Sequence, residues 1–257
     1  MHYYSADYLF DGEKFLPSNA ILCVQGDGTI DGIIFDKGEL TVIHKEGLIC
    51  PGFVNAHCHV ELSHLKHKIN QGIGLVNFIL EVNRLRYAES AESKAFAIQT
   101  AEEEMIENGI VAVGDIANTM DSFMQKEKKN LHYHTFIECF GLLDEHAQKK
   151  VDEAKRKQKE FSKLHSSSVV LHAPYSCSET LIQLVDDLST NQITSIHNQE
   201  SDEENKLFQF GDGDFLRLFE QLDYKNKLPL TTISKRSIQS YFTKFKHQQH
   251  IILVHNT

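Results

Sequence analysis

The chain has 257 residues, of which 41% are hydrophobic and 24% charged, ordinary values for a globular protein of one large domain or slightly more. The formal net charge of −10 argues against nucleic acid or an anionic membrane surface as the main partner. Five cysteines without Cys-x-x-Cys spacing indicate reduced thiols, and no apolar run approaches the ~20 residues of a membrane helix. Since the N-terminus also lacks a signal-peptide pattern, we expect a cytoplasmic protein.

The first 50 residues differ in pattern from the rest of the chain. Short apolar runs between residues 8 and 43 are separated by Asp-Gly, Gly-Asp-Gly and Lys-Gly. Asp-Gly between short strands is a hairpin signal. Residues 1–50 are therefore predicted to form a small antiparallel β unit.

Beyond residue 50, apolar runs of strand length alternate with helical patterns. The predicted helices include 92–108, which ends at Gly109, a favourable C-terminal cap. Such alternation implies parallel βαβ units, and a (β/α)₈ barrel is one closed arrangement of them. We expect residues 51–257 to form about six strands of such a barrel. The predicted strands are 48–56, 110–115, 133–140, 169–172, 193–197 and 251–255.

The segment His57-Cys58-His59 ends the first of these strands. Successive side chains of a strand point to opposite faces, so His57 and His59 lie on the same face. Two imidazoles on one face can bind a divalent metal. The alternative is that they are ordinary polar strand residues, but the nearly apolar run before them favours a ligand pair.

Chemically notable residues recur at the carboxyl ends of the predicted strands, which is where barrel enzymes assemble their active sites. Four of the six strands end in histidine, and a buried neutral histidine needs a partner for each ring nitrogen. A shared site therefore explains the pattern better than core packing does. The residues at these ends are His57, His59, Glu61, Asp115, Asn118, Glu138, His172, His197 and His255.

Four segments together resemble the amidohydrolase superfamily, specifically its aminohydrolase (deaminase) branch, over nearly the whole chain. They are Pro51-Gly52-Phe53-Val54-Asn55-Ala56-His57-Cys58-His59, His172-Ala173-Pro174-Tyr175-Ser176, His197-Asn198-Gln199-Glu200 and His255. The resemblance implies a barrel with a small β-sandwich. It also implies one divalent metal ion, zinc or alternatively iron, bound by His57, His59 and His197.

The same resemblance assigns roles around this metal. Glu200 would shuttle protons, although it could also be one more acid in the acidic run that follows. His255 would position the metal-bound water and the substrate, and His172 would contact the substrate. Glu61 and Asn118 are further candidates for substrate contact.

The implied reaction is hydrolytic deamination of an amino-substituted, purine-like or other heterocyclic small molecule, with release of ammonia. Glu61-Leu62-Ser63 and the stretch 72–78 most resemble deaminases of adenosine-like nucleosides. One alternative is a cyclic-amide or chloro-heterocycle hydrolase of the same superfamily. Another is a metal-binding fragment without catalysis. The oligomeric state, including a homo-oligomer, is left open.

One departure from the family pattern concerns its metal-site aspartate, which lies at the end of the eighth strand. Only six strands can be placed here, and the sequence stops two residues after His255. We therefore expect this sequence to be part of a longer chain that completes the barrel, and we expect weak or no activity from these 257 residues alone, unless another residue such as Asp115 replaces the aspartate. The segment 201–219 could be a lid or a packed surface excursion. His64 is expected on the surface, and His132-Tyr133-His134, which begins a strand, is expected to be structural or exposed.

Overall fold

The computed structural model describes residues 1–188, 192–224, 235–246 and 250–257. Its contacts divide the chain into two compact units, Met1–Phe53 and Val54–Thr257. The strand predicted over 48–56 is interrupted at Cys50-Pro51-Gly52, where the proline has no N–H for strand pairing. The predicted strand is therefore the end of one strand and the start of another.

The N-terminal unit is one four-stranded sheet in the order β3-β2-β1-β4. Its strands are β1 (His2–Leu9), β2 (Ile21–Val24), β3 (Ile30–Ile34) and β4 (Ile43–Ile49). The β2–β3 hairpin closes through Gln25 N–H, which donates to the Thr29 carbonyl at 2.7 Å. Both β1–β2 and β2–β3 are antiparallel, but β1 and β4 are parallel. The prediction of a wholly antiparallel unit is wrong for β4, because turn signals specify only the pairing of hairpin neighbours.

The described residues of the second unit form six further strands. They are β5 (Phe53–Cys58), β6 (Ile110–Ala117), β7 (His132–Cys139), β8 (Ser166–Leu171), β9 (Ile193–Asn198) and β10 (His250–His255). Strands β5 to β8 form one sheet in chain order, and β9 pairs with β10. The pairs β6–β7, β7–β8 and β9–β10 are parallel. Past β8, His197 N–H donates to the His172 carbonyl at 2.9 Å, so the ends of β8 and β9 lie side by side.

Helices connect these strands, as the alternating pattern predicts. Ser90 caps the second of them, its hydroxyl accepting from Ser93 N–H at 3.2 Å. The helices are α1 (Leu75–Leu85), α2 (Ala91–Glu107), α3 (Phe123–Glu127), α4 (Asp144–Phe161), α5 (Glu179–Leu188), α6 (Asp202–Phe210), α7 (Phe215–Gln221) and α8 (Ser237–Tyr241). In the described parts of the chain, none of them combines the length and the apolar character that a membrane span requires.

The main core lies between α4, α5 and strands β7 to β9. On the lysine-rich α4, Ala147, Val151, Ala154 and Phe161 share one buried face. A second buried cluster joins Val76 of α1 to Leu207 of α6 and to Phe215, Leu218 and Phe219 of α7. The segment 201–219 is thus a packed pair of helices, which favours the surface excursion over the lid.

Gly114 allows β5 and β6 to approach each other closely. A Cβ atom at this position would lie 2.5 Å from the carbonyl oxygen of Ala56 and 3.0 Å from the ring of Phe136. Ala56 immediately precedes His57. The absence of a side chain at Gly114 therefore determines where β5 places its histidines.

Candidate metal centre and catalytic groups

Three imidazoles from two distant strands converge at one end of the second unit. His57 lies on β5, His59 follows the end of β5, and His197 lies near the end of β9. Ligand nitrogens of the three rings all lie within 4.8 Å of one another, and the Nε2 atoms of His59 and His197 are 3.2 Å apart. The structure thus brings together the three predicted metal ligands.

The arrangement of these imidazoles fits a divalent ion. Tetrahedral zinc with Zn–N bonds of ~2.0–2.1 Å holds its nitrogen ligands ~3.3–3.4 Å apart, close to the observed 3.2 Å. His197 Nδ1 donates to the His172 carbonyl at 2.8 Å, which leaves the Nε2 lone pair of His197 for a metal. The Nδ1 atoms of His57 and His59 are buried and have no hydrogen-bond partner among the described residues.

Burial also favours the neutral, ligating form of these rings. It lowers the pKa of His57 to about 4, with His197 as the next contributor. Burial likewise lowers the pKa of His59 to about 4. A desolvated imidazole resists protonation because the charged form loses its hydration.

Glu200 faces this cluster from the loop after β9. Its Oε2 accepts from the Tyr175 hydroxyl at 2.8 Å, and its Oε1 lies 3.5 Å from Nε2 of His255. Burial raises the pKa of Tyr175 well above its usual value, so the hydroxyl remains a donor. The ring of His255 is centred 5.7 Å from that of His197 and 6.4 Å from that of His57. His255 therefore lies beside the imidazole cluster, and Glu200 lies next to His255.

The backbone that carries Glu200 is held by the buried carboxylate of Glu204, to which the sequence analysis gave no role. Glu204 accepts from the N–H groups of Gln199 at 3.1 Å and Glu200 at 2.9 Å, and from the Ser237 hydroxyl. Gln199 has a φ of 45°, in the left-handed region that non-glycine residues rarely occupy. Glu204 thus stabilises an unfavourable turn that directs Glu200 toward the histidines.

His172, predicted to contact the substrate, lies at the end of β8. Its Nδ1 is 2.7 Å from the Ser176 hydroxyl, which donates to the Ala173 carbonyl at 3.0 Å. A hydroxyl that donates its proton there must accept from His172, so Nδ1 carries the hydrogen. The Nε2 atom of His172 is therefore an acceptor available to a ligand.

Glu61 and Asn118, the other two predicted substrate contacts, are bonded to each other. Oε1 of Glu61 accepts from Arg86 at 3.0 Å, and Oε2 accepts from the N–H groups of Asn118 and Thr119 and from the Thr119 hydroxyl. Most of the acceptor capacity of this buried carboxylate is therefore used within the chain. The side-chain amide of Asn118 donates to Oε2 of Glu138 at 2.9 Å, while its Oδ1 is buried with no hydrogen-bond partner in the described residues.

Glu138 is a buried acid that the sequence analysis noted at a strand end but left without a role. Its Oε1 lies 3.5 Å from Nδ1 of His197, and it forms a second close donor group with His172 and His197. Burial by itself raises the pKa of Glu138, but the positive charges that His172, His197 and His59 carry when they are protonated lower it to about 2. The feature of the sequence that could have indicated a role for Glu138 was its place at the end of β7, level with the histidines.

The contacts of Asp115 do not support it as the replacement for the family's aspartate. Its Oδ2 forms an ion pair with Lys126 at 2.6 Å, and its Oδ1 accepts from Val60 N–H at 2.8 Å and from the Cys58 thiol at 3.5 Å. Both carboxylate oxygens are thus occupied by groups of the chain other than the three imidazoles. What Asp115 does is hold the backbone immediately after His59.

Two further histidine predictions have different outcomes. The prediction that His64 lies on the surface is wrong, since it is 5% exposed and its Nδ1 lies 3.1 Å from the Glu61 carbonyl. It is buried because the segment Val60–Leu65 forms a 3₁₀ helix against α2. His132 does begin β7 and is exposed, and His134 bonds to the hydroxyls of Ser166 and Ser168 on β8.

In a comparison with models of protein families, residues 48–225 match the amidohydrolase family. Among curated proteins, an aminodeoxyfutalosine deaminase of Nitratiruptor sp. is 23% identical over 239 residues, covering 90% of this chain and 57% of that protein. An adenosine deaminase of Helicobacter pylori is 27% identical, covering 82% and 51%. A 5'-deoxyadenosine deaminase of Methanococcus vannielii is 25% identical, covering 79% and 50%. The chain spans about half the length of these relatives.

Solved structures show the same fold. Helicobacter pylori aminofutalosine deaminase in complex with methylthio-coformycin superposes with a TM-score of 0.81 at 23% identity, covering all of this chain and 64% of that one. An adenosine deaminase from Xanthomonas campestris with bound zinc has a TM-score of 0.60 at 18% identity, covering 86% and 55%. At these identities the likeness demonstrates a shared fold.

Proposed function

Because this chain belongs to the amidohydrolase family, we propose that it catalyses the hydrolytic deamination of an amino-substituted, purine-like heterocycle. The observation that carries this proposal is the convergence of His57, His59 and His197 with Glu200 and His255 at the carboxyl ends of β5, β9 and β10. In the same proposal, β5 to β10 are six strands of a (β/α)₈-type barrel, whose reactive face is that end.

His57, His59 and His197 would hold one divalent ion, with zinc the ion expected and iron the alternative. Such an ion supplies a Lewis acid that lowers the pKa of a bound water to about 7. The chain contributes the ligand geometry: the hydrogen bond from His197 Nδ1 to the His172 carbonyl orients that ring. Burial of His57 and His59 keeps their rings neutral at working pH.

Glu200 is the proposed proton carrier. The Tyr175 hydroxyl occupies Oε2, so Oε1, which faces His255, is the oxygen that takes up a proton and returns it to the departing amino group. His255, whose Nε2 lies 3.5 Å from this oxygen, orients the reacting groups. Glu204 supports the step by holding the backbone of Glu200 in place.

The proposed substrate is an aminopurine nucleoside, because the curated relatives are deaminases of adenosine, 5'-deoxyadenosine and aminodeoxyfutalosine. His172 presents Nε2 as an acceptor beside His197, and Asn118 presents Oδ1. Both could bind hydrogen-bond donors of such a ligand. Glu61 would act mainly by fixing Asn118 and Thr119.

The test measures zinc content by mass spectrometry and ammonia release from a panel of purine and pyrimidine amines. We expect about one zinc per chain and release of ammonia from adenosine-type nucleosides. Glu200→Gln should retain zinc and lose about 10²- to 10⁴-fold in rate, whereas Asp202→Asn, an exposed acid on the next helix, should change neither. Bound zinc without ammonia from any amine would contradict deamination, and chloride release from chloro-heterocycles would favour the alternative hydrolase.

A further inference from the structure

Glu138 differs from the other buried acids around the imidazole cluster in what neutralises it. Asp115 is paired with Lys126, and Glu61 with Arg86. Glu204 accepts from two backbone N–H groups and a hydroxyl. Glu138 has neither a lysine nor an arginine partner among the described residues, and its one hydrogen bond there, from Asn118, reaches Oε2 and leaves Oε1 without a donor.

The position of Glu138 is nevertheless well defined. Its side chain is 2% exposed, and Asn118 anchors its Oε2 through a hydrogen bond of 2.9 Å. This anchor directs the free Oε1 toward His197, whose Nδ1 is 3.5 Å away. Because that Nδ1 hydrogen already points to the His172 carbonyl at 2.8 Å, His197 does not satisfy Oε1.

Charge balance explains why an unpaired carboxylate is buried beside the proposed metal ligands. A buried, unpaired carboxylate is costly, since it loses its hydration and gains no counter-ion. Three neutral imidazoles that bind a divalent cation leave two positive charges in an equally dry environment. Each of these unfavourable charges compensates the other when both are present.

We propose that Glu138 is the built-in counter-charge of the metal centre, held by Asn118 so that its free oxygen faces the ligand His197 and stabilises a bound divalent cation. This inference rests on the proposed metal site formed by His57, His59 and His197. It assigns Glu138 a positioning and electrostatic role, without contact to the reacting atoms.

The decisive variant is Glu138→Gln, which keeps the size of the side chain and an oxygen for Asn118 but removes the charge. Its zinc affinity is measured by competition with a chromophoric chelator, and its Tm is measured with and without zinc. We expect the zinc Kd to rise about 10- to 100-fold. The zinc-free protein should keep or increase its Tm, because a costly unpaired charge has been removed. Glu138→Asp, which retains the charge, should recover part of the lost affinity.

The matched control is Glu102→Gln, which removes a fully buried acid whose partners are Tyr133, Gln125 and Asn130. It should lower the zinc-free Tm and leave the zinc Kd unchanged. Wild-type zinc affinity in Glu138→Gln, or a loss no larger than in Glu102→Gln, would overturn the inference while leaving the metal site standing. Absence of zinc binding by the wild-type chain would instead overturn the proposed metal site, and this inference with it.

Discussion

The Nε2 atoms of His59 and His197 lie 3.2 Å apart, although 138 positions separate the two residues in the chain. Two lone-pair nitrogens at this distance repel each other unless a proton or a cation lies between them. Burial opposes protonation, since it lowers the pKa of His59 to about 4. Neutral rings at this distance either share one Nε2 hydrogen or hold a cation between two lone pairs, and the proposed chemistry depends on the cation.

Replacing His197 by alanine should abolish stoichiometric zinc binding. The change removes one of three proposed ligands, so the loss of affinity should exceed the roughly 10- to 100-fold typical of outer-shell changes. Zinc per chain after dialysis, measured by mass spectrometry, provides the readout. His132→Ala, an exposed histidine at the start of β7, should retain zinc, and equal zinc content in the two variants would contradict the ligand assignment.

Replacing Glu204 by alanine should lower kcat about tenfold or more and leave zinc content unchanged. The variant leaves the N–H groups of Gln199 and Glu200 without their carboxylate acceptor, which costs ~1–3 kcal/mol for each group. The loss also loosens the turn that carries Glu200. Steady-state kinetics should show the effect mainly in kcat and less in KM. Asp202→Ala on the same helix is the control. A lower Tm with an unchanged kcat would limit Glu204 to a stabilising role.

Replacing Gly114 by alanine should lower the free energy of unfolding by ~1–3 kcal/mol, a typical cost of overpacking. The added methyl group would meet the Ala56 carbonyl at 2.5 Å, so β5 must shift. Urea titration measures the change, with Gly26→Ala as the control, since no atom lies within 4 Å of a Cβ there. Zinc affinity should fall in parallel because β5 carries His57. If Gly114→Ala unfolds with the wild-type free energy, β5 shifts without loss of stability.

Replacing Lys126 by methionine should lower the free energy of unfolding by ~3–5 kcal/mol, the usual cost of leaving one charge of a buried ion pair without its counter-ion. The side chains of Lys126 and Asp115 are 1% and 0% exposed, and their charged atoms are 2.6 Å apart. Lys128→Met, an exposed lysine just after the same helix, should cost far less. If the two variants unfold at the same urea concentration, the ion pair contributes nothing measurable.

His165 should make the zinc-free protein sensitive to acid. Its Nε2 lies 2.7 Å from the Thr135 hydroxyl, which accepts from Lys126 and keeps its own hydrogen for donation to a neutral imidazole. Burial, followed by the charge of Lys126, lowers the pKa of His165 to about 4. The unfolded chain takes up this proton near pH 6.5, so stability should be full above that pH and fall as the pH drops toward 4.

The measurement is Tm across pH 7 to 4 for the wild type and for His165→Gln. The variant should show a shallower loss of Tm, although His57 and His59 still contribute to its slope because their pKa values are lowered in the same direction. His132→Gln should keep the wild-type slope. Equal slopes in all three proteins would mean that His165 is not stabilised in its neutral form.

Much of the local structure was predictable because it depends on nearby residues. The apolar run after residue 110 and the cap at Gly109 predict β6 and the end of α2, and both occur. The spacing of His57 and His59 places them on one face, since alternation is a property of any strand. Motif resemblance then indicated that His197 belongs with them, and the family match agrees with that resemblance.

Other features followed no local pattern. The parallel pairing of β4 with β1 depends on a connection that no turn signal encodes. Burial of His64 depends on α2 packing over its 3₁₀ helix. The sequence does not distinguish Asp115 from other acids at strand ends, because its ion-pair partner Lys126, 2.6 Å away, is brought to it by packing.

By itself, the sequence determined the alternation of the six strands with α1, α2, α4 and α5, the residue types at each strand end and the family to which the chain belongs. These depend on periodicity and motif spacing, which are properties of neighbouring residues. Only the tertiary structure decided which acids are neutralised and which are not: Asp115 by Lys126, Glu61 by Arg86, and Glu138 by no cation among the described residues. The reason is physical, since the energy of a buried charge depends on the groups that packing brings within a few ångströms, wherever they lie in the chain.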